Sequence, residues 1–223
     1  MTTRREPLPD NAPRFIVVEG PIGVGKTSLA RRLADTFGYD TLFEAPEDNP
    51  FLARFYAEER RHALPTQLFF LLQRAEQMRN LHQDDLFGDG RIADFLIDKD
   101  QLFAEINLDA DELALYQQVY DHLTIAAPVP DLVIYLQAPP PVLAQRIARR
   151  GVPAERHIDQ GYLERLVEGY TRFFHFYDSG PLLIVNAAEI DLVGDQQQYE
   201  RLVEVVRNAG RSRSYFNPHP TLI

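Results

Sequence analysis

Between Val18 and Ser28 the chain reads VEGPIGVGKTS, with glycines at 20, 23 and 25 and then Lys26 beside Thr27. Gly20-x4-Gly25-Lys26-Thr27 is the phosphate-loop pattern. Phosphate oxygens have to approach backbone N–H groups closely, and a Cβ in that path would obstruct them. A helix starting at the lysine adds unpaired N–H donors and the positive end of its dipole. Lys26 brings a full charge to the β- and γ-phosphates, and the Thr27 hydroxyl can help hold Mg²⁺. Gly20, Gly23, Val24, Gly25, Lys26, Thr27 and Ser28 form the candidate ATP-binding set, and the chain is expected to bind a nucleoside triphosphate.

Two further stretches carry reactive groups. Glu44, in FEAPEDNPF, follows a short apolar run. A carboxylate at the C-terminal end of a strand faces the crevice where open parallel sheets bind ligands, and a general base for a hydroxyl acceptor belongs there. On position alone a solvated loop acid fits equally well. Residues 146–155 read RIARRGVPAE. Arg146 and Arg150 are four apart on one helical face, with Arg149 off it. Such a pair suits charge spreading over a transferring phosphoryl group, and it also suits a helix end that complements its own dipole.

These groups need a scaffold. Phe15 to Val18 is an apolar, β-branched run that fits a buried parallel strand, and Ser28 to Ala34 has helical spacing ending near Gly38. Strands are expected at 41–43, 91–96, 131–136 and 182–185. Helices are expected to start at Asn49-Pro50, to run from Pro65 to about Asp85, to follow an Asp109–Glu112 capping box, and to cover 139–150, 159–177 and 196–209. Strands alternating with helices predict an α/β fold: a doubly wound, parallel, five-stranded sheet of P-loop NTPase type, flanked by helices. Residues 14–210 are expected to form one domain, with a flexible arm at 1–13 and an irregular tail at 211–223.

Bulk properties narrow the function. With 223 residues, 45 % of them hydrophobic, the chain can bury a sizeable core. A net charge of −10 argues against a nucleic-acid polymer as partner. The absence of cysteine excludes disulfides, thiolate zinc and a cysteine nucleophile. No apolar run approaches the length of a membrane span, and the N-terminus lacks the apolar middle of a signal peptide, so a cytoplasmic protein is expected.

The ordered series EGPIGVGKTSLARRLA, FEAPEDNPFLARFY, QLFFLLQR, DLVIYLQAPPPVLAQRIARRG and GYLERLVEGY resembles the deoxyribonucleoside kinases, from about Phe15 to Val185. The resemblance implies an enzyme that moves the γ-phosphoryl of ATP, with Mg²⁺, to the 5′-hydroxyl of a deoxynucleoside. It implies that Glu44 deprotonates that hydroxyl, that Tyr56 and Glu155 touch the sugar 3′-hydroxyl, and that Gln67 bonds the base edge. Arg74, on the same helix face as Gln67, would lie beside the base and 5′ end. The resemblance also implies a helical lid at about 146–158, in which Arg146 and Arg150 would clamp the phosphoryl group.

The match departs after the third strand. Where many members carry an acid, arginine and serine, this chain has Asp94, Phe95 and Leu96. Asp94 can serve Mg²⁺ with Thr27. The arginine is missing, and Lys99 is expected to supply its charge from the following helix. Asp98 or Asp100 is expected to pair with Arg74. This variant segment resembles a bacterial branch associated with purine deoxynucleosides. The alternatives are a nucleoside monophosphate kinase of the thymidylate kinase kind, or a non-catalytic ATP-binding regulatory protein. A homodimer is expected, because helix 65–85 and the helix from Asp109 carry enough apolar residues for a second face.

Overall fold

The computed structural model describes residues 12–58, 61–84, 90–123, 127–192, 194–210 and 212–217. Its strands are β1 (Phe15–Glu19), β2 (Asp40–Leu42), β3 (Arg91–Ala93), β4 (Leu132–Gln137), β5 (Leu182–Asn186) and β6 (Ser214–Phe216). They form one sheet in the order β2-β3-β1-β4-β5-β6, and every neighbouring pair is parallel. Eight α-helices accompany them among the described residues: α1 (Lys26–Phe37), α2 (Leu52–Ala57), α3 (Ala63–Asp84), α4 (Lys99–Asn107), α5 (Ala110–Leu123), α6 (Pro140–Arg150), α7 (Gln160–Phe176) and α8 (Gln196–Arg207).

Side-chain alternation sorts the core onto the two faces of the sheet. Ile16 and Val18 of β1, Leu132, Ile134 and Leu136 of β4, and Leu183 and Val185 of β5 pack with Leu29 and Leu33 of α1, Leu143 and Ile147 of α6, and Leu202 of α8. Val17, Val133, Tyr135, Leu182 and Ile184 face the other way, onto Leu102 of α4 and Tyr170 and Phe174 of α7. By the same parity Glu19 belongs to the α4/α7 face. Outside these layers, Leu71 of α3, Ala104 of α4 and Tyr116 of α5 make a separate cluster.

The sheet has six strands rather than five. The tail expected to be irregular contributes β6, which pairs with β5 from Leu183↔Ser214 to Val185↔Phe216. Phe216 is buried in the α1/α6/α8 core, and that anchor holds so short a strand in place. The expected N-terminal arm falls almost wholly on residues 1–11, outside the described residues. The capping box forms as spaced: the Asp109 carboxylate accepts from Glu112 N–H (3.0 Å), and Glu112 accepts from Asp109 N–H (3.3 Å). No helix among the described residues is long and apolar enough to cross a membrane.

Candidate active site

The C-terminal ends of β1, β2 and β3 bring three acids to one edge of the sheet: Glu19 closes β1, Asp94 follows β3, and Glu44 lies just past β2. The phosphate loop rises from the same edge. Gly25 caps α1 with φ +106°, which favours glycine, and a Cβ built there would meet no atom within 4 Å. The missing side chain therefore leaves open space above the start of α1, as an approaching phosphate requires. Lys26 is the first residue of α1, and its ammonium donates to the Gly20 carbonyl at 2.8 Å. Burial pushes that ammonium below its ordinary pKa, against the pull of Glu19 and Glu44.

Thr27 and Asp94 are in contact, the hydroxyl donating to one carboxylate oxygen while the other accepts from Glu44 N–H at 2.9 Å. Burial raises the Asp94 pKa, and the two hydrogen bonds oppose it. Glu44 sits among cations. Arg74 Nε donates to Glu44 Oε1 at 2.7 Å, and Lys99 Nζ lies 3.0 Å from the same oxygen. Burial pushes the Glu44 carboxyl up, but Arg74, Lys99 and Lys26 more than offset it, leaving its pKa at about 2.

Asp100, not Asp98, is the acid that pairs with Arg74. It lies in the first turn of α4 and is buried, whereas Asp98 precedes the helix. Phe95, at the position of the missing arginine, is buried against Met78 under α3. Lys99, from α4, brings its ammonium beside Glu44 and is itself 2 % exposed.

A cavity of about 190 Å³ gathers most of the expected acceptor-side residues. Lys26, Thr27, Glu44, Tyr56, Gln67, Arg74, Asp94, Lys99, Arg150 and Glu155 all line it. Gln67 and Arg74, one above the other on α3, are both 4 % exposed. Tyr56, from α2, packs edge-on against Tyr162. Arg150 and Glu155 form an ion pair at 2.6 Å across the bend that follows α6.

A second cavity, about 610 Å³, lies on the other side of the loop, between Val142–Arg150 of α6 and residues 187–192. The two cavities share Gly23, Gly25, Ser28 and Arg150. Arg146 does not point to that junction. Its guanidinium donates to the carbonyls of Val24 (3.1 Å) and Ala187 (2.7 Å), tying the phosphate loop to the segment after β5. One helical turn separates it from Arg150, enough to place it over backbone rather than over the shared space.

Sequence reasoning missed Glu19. The expected strand stops at Val18 and gives Glu19 no role, yet Glu19 is fully buried, accepts three hydrogen bonds and pairs with Lys99. The available signal was its parity with Val17, which directs it to the α4/α7 face, and its position directly before Gly20.

Residues 16–209 match the deoxynucleoside kinase family model. A deoxyguanosine kinase of Bacillus subtilis (strain 168) is 36 % identical over 202 residues, covering 88 % of this chain and 98 % of the relative. A deoxyadenosine/deoxycytidine kinase of the same organism is 27 % identical over 207 residues, covering 89 % and 93 %. The structure of a deoxyadenosine kinase from M. mycoides with bound dATP superposes with a TM-score of 0.73 at 25 % identity, covering 87 % of this chain and 97 % of that one. These likenesses favour a deoxynucleoside acceptor over a monophosphate acceptor or a non-catalytic role. The chain belongs to the deoxynucleoside kinase family, and its activity is the phosphorylation of a deoxynucleoside.

Proposed function

We propose that the chain transfers the γ-phosphoryl group of ATP to the 5′-hydroxyl of a purine deoxynucleoside, releasing the 5′-monophosphate. The junction of two cavities at the phosphate loop, with Glu44 on the acceptor side, supports this reading most strongly. The larger cavity suits ATP, whose phosphates would meet the loop N–H groups, Lys26 and Ser28, with Gly20, Gly23 and Val24 shaping the turn. The smaller suits the nucleoside, with the base toward Gln67, Arg74 and Asp100 and the sugar between Tyr56 and Glu155. The purine preference draws on relatives named for deoxyguanosine and for deoxyadenosine, one of the latter named for deoxycytidine as well.

Glu44 is ionised throughout the neutral range and so accepts a hydrogen bond from the acceptor hydroxyl. A carboxylate with so low a pKa is a weak base. That suits a loose phosphoryl-transfer transition state, in which orienting the hydroxyl matters more than early deprotonation. Arg150, at the junction, would oppose charge on the transferring group, and closure of the 146–158 lid would exclude water. Arg146 would act on the donor side by holding the loop.

Thr27 and Asp94 fit Mg²⁺. They present a hydroxyl and a carboxylate side by side next to Lys26, and Mg²⁺ takes one or two protein oxygens with phosphates and waters. Thr27 and Asp94 would hold the ion, which would supply positive charge against the phosphates of the donor. We further propose one kinase domain, the expected 14–210 extended to Phe216 by β6, a homodimer through α3 and α5, where Leu72 and Leu115 are exposed, and a cytoplasmic location with ATP at hand.

The test is ATP-dependent monophosphate formation from deoxyadenosine, deoxyguanosine, deoxycytidine and thymidine in parallel, by the wild type and Glu44→Gln. Purine products lost in the variant are expected. Turnover confined to pyrimidines would overturn the purine assignment, and full turnover by Glu44→Gln would overturn the role of Glu44.

A further inference from the structure

Glu19 lies behind the site, where no substrate reaches it, and four elements send it donors. Its Oε1 accepts from Gly20 N–H at 2.9 Å and from the Tyr170 hydroxyl of α7 at 2.9 Å. Its Oε2 accepts from Leu96 N–H at 2.8 Å and lies 3.4 Å from Lys99 Nζ. A carboxylate offers about four lone-pair sites, so this one is fully committed. The three neutral donors fix its position, and it is 0 % exposed.

Lys99 is the member of this set that reaches the reaction. Its ammonium bridges two acids, Glu19 on the buried side and Glu44 on the cavity side. A lysine carries a flexible stem and no geometry of its own. Held by Glu44 alone, it would follow that carboxylate or swing away when Glu44 turns to a hydroxyl. A second, immobile carboxylate keeps the ammonium at the cavity wall through that exchange. Phe95 cannot do this, since it is buried among apolar side chains at the arginine's position.

We infer that Glu19 is a positioning residue for phosphoryl transfer: braced by Tyr170 and by the N–H groups of Gly20 and Leu96, it fixes Lys99 as the cation beside Glu44, in place of the arginine absent at Phe95. This rests on the role proposed for Glu44. It makes β1 contribute twice to the site, once as the lead-in to the phosphate loop and once through the anchor for Lys99.

The experiment is a double-mutant cycle in the full-length enzyme, with kcat and both KM values measured for wild type, Glu19→Gln, Lys99→Met and the double variant. Lys99→Met is expected to lower kcat about 10²-fold. Glu19→Gln is expected to lower it by up to about 10²-fold, with KM for ATP and deoxynucleoside nearly unchanged. The double variant should be no slower than Lys99→Met, because Glu19 has nothing left to position. Lys99→Arg should recover part of the lost turnover. If Glu19→Gln fails to fold, Tyr170→Phe, which removes one brace, replaces it in the same cycle.

Losses that multiply in the double variant, or a raised KM for ATP with kcat intact, would make Glu19 a structural support of the loop and overturn the inference. Full activity in Lys99→Met, while Glu44→Gln is inactive, would overturn it and leave the proposed reaction standing. Full activity in Glu44→Gln would remove the foundation of both.

Discussion

Arg74 and Asp100 meet inside the protein, a guanidinium from the middle of α3 against a carboxylate in the first turn of α4, both nearly inaccessible to water. The same guanidinium binds Glu44, so one arginine ties the buried Asp100 to the acid that lines the smaller cavity. Removing it leaves two carboxylates short of a partner, one of them fully buried. Arg74→Met should destabilise the protein by about 3–5 kcal/mol, measured by urea unfolding. An effect below ~1 kcal/mol would show that this ion pair carries little of the local structure.

The low pKa of Glu44 has a definite pH signature. Its folded value of about 2 lies below its ordinary 4.5, so its ion pairs contribute stability that is complete above the ordinary carboxylate range and is lost as pH falls through about 2. A shift of that size is worth ~3 kcal/mol at neutral pH. The stability gap between wild type and Glu44→Gln should therefore be flat from pH 7 to pH 5 and shrink below that. A gap that widens on acidification would contradict the assignment.

Activity should respond to the same charges. Arg74, Lys99 and Lys26 hold the Glu44 carboxyl down, burial pushes it up, and neighbouring Asp94 adds a like charge. In Lys99→Met the pull of one cation is gone, so the acid limb of kcat/KM for the deoxynucleoside should move to higher pH. The wild-type limb should not report Glu44 at any pH above about 4. An unmoved limb in the variant would mean that Lys99 does not act on Glu44 electrostatically.

Gly25 and Gly23 should separate binding from folding. Alanine at Gly25 finds empty space, and its cost is the positive φ alone, about 1–2 kcal/mol. Its methyl group would stand where phosphate has to approach, so KM for ATP should rise sharply in a protein that still folds. Alanine at Gly23 would press on Ile147 Cγ1 at 2.8 Å and the Leu143 carbonyl at 3.1 Å, with φ +81° besides. Gly23→Ala should lower the melting temperature more than Gly25→Ala, and the reverse order would refute this division.

Arg146 and Arg150 should also part company. Arg146→Ala leaves the Val24 and Ala187 carbonyls without their donor, so KM for ATP is expected to rise more than kcat falls. Arg150→Ala is expected to lower kcat by about 10²-fold or more, because its guanidinium lines both cavities. Equal effects on kcat in steady-state assays would return Arg146 to the clamp suggested by the spacing of the two arginines.

Much of the site was legible because its signals are local. The phosphate loop declares itself through glycine positions and the adjacent Lys26 and Thr27, and Gln67 and Arg74 share a face because they are seven apart on a helix. Relationships that depend on how elements pack were not legible. The choice of Asp100 over Asp98 turns on where α4 begins, Arg146 on what lies beside α6, and Glu19 on which side of β1 meets α4 and α7. The sixth strand escaped because three residues between arginines and prolines carry no strand pattern, and Phe216 is recognisable as an anchor only once the core exists.

That late strand changes what the C-terminus means for handling the protein. β6 covers the outer hydrogen-bonding edge of β5, leaving the sheet to end on a short segment with an exposed Tyr215. Without it, the apolar run Leu182–Val185 would present an unpaired backbone, the usual template for sheet-to-sheet association between molecules. A tag fused close behind Phe216, or a cut ahead of Ser214, therefore threatens solubility before it threatens catalysis. A tag ahead of the N-terminal residues leaves that edge capped.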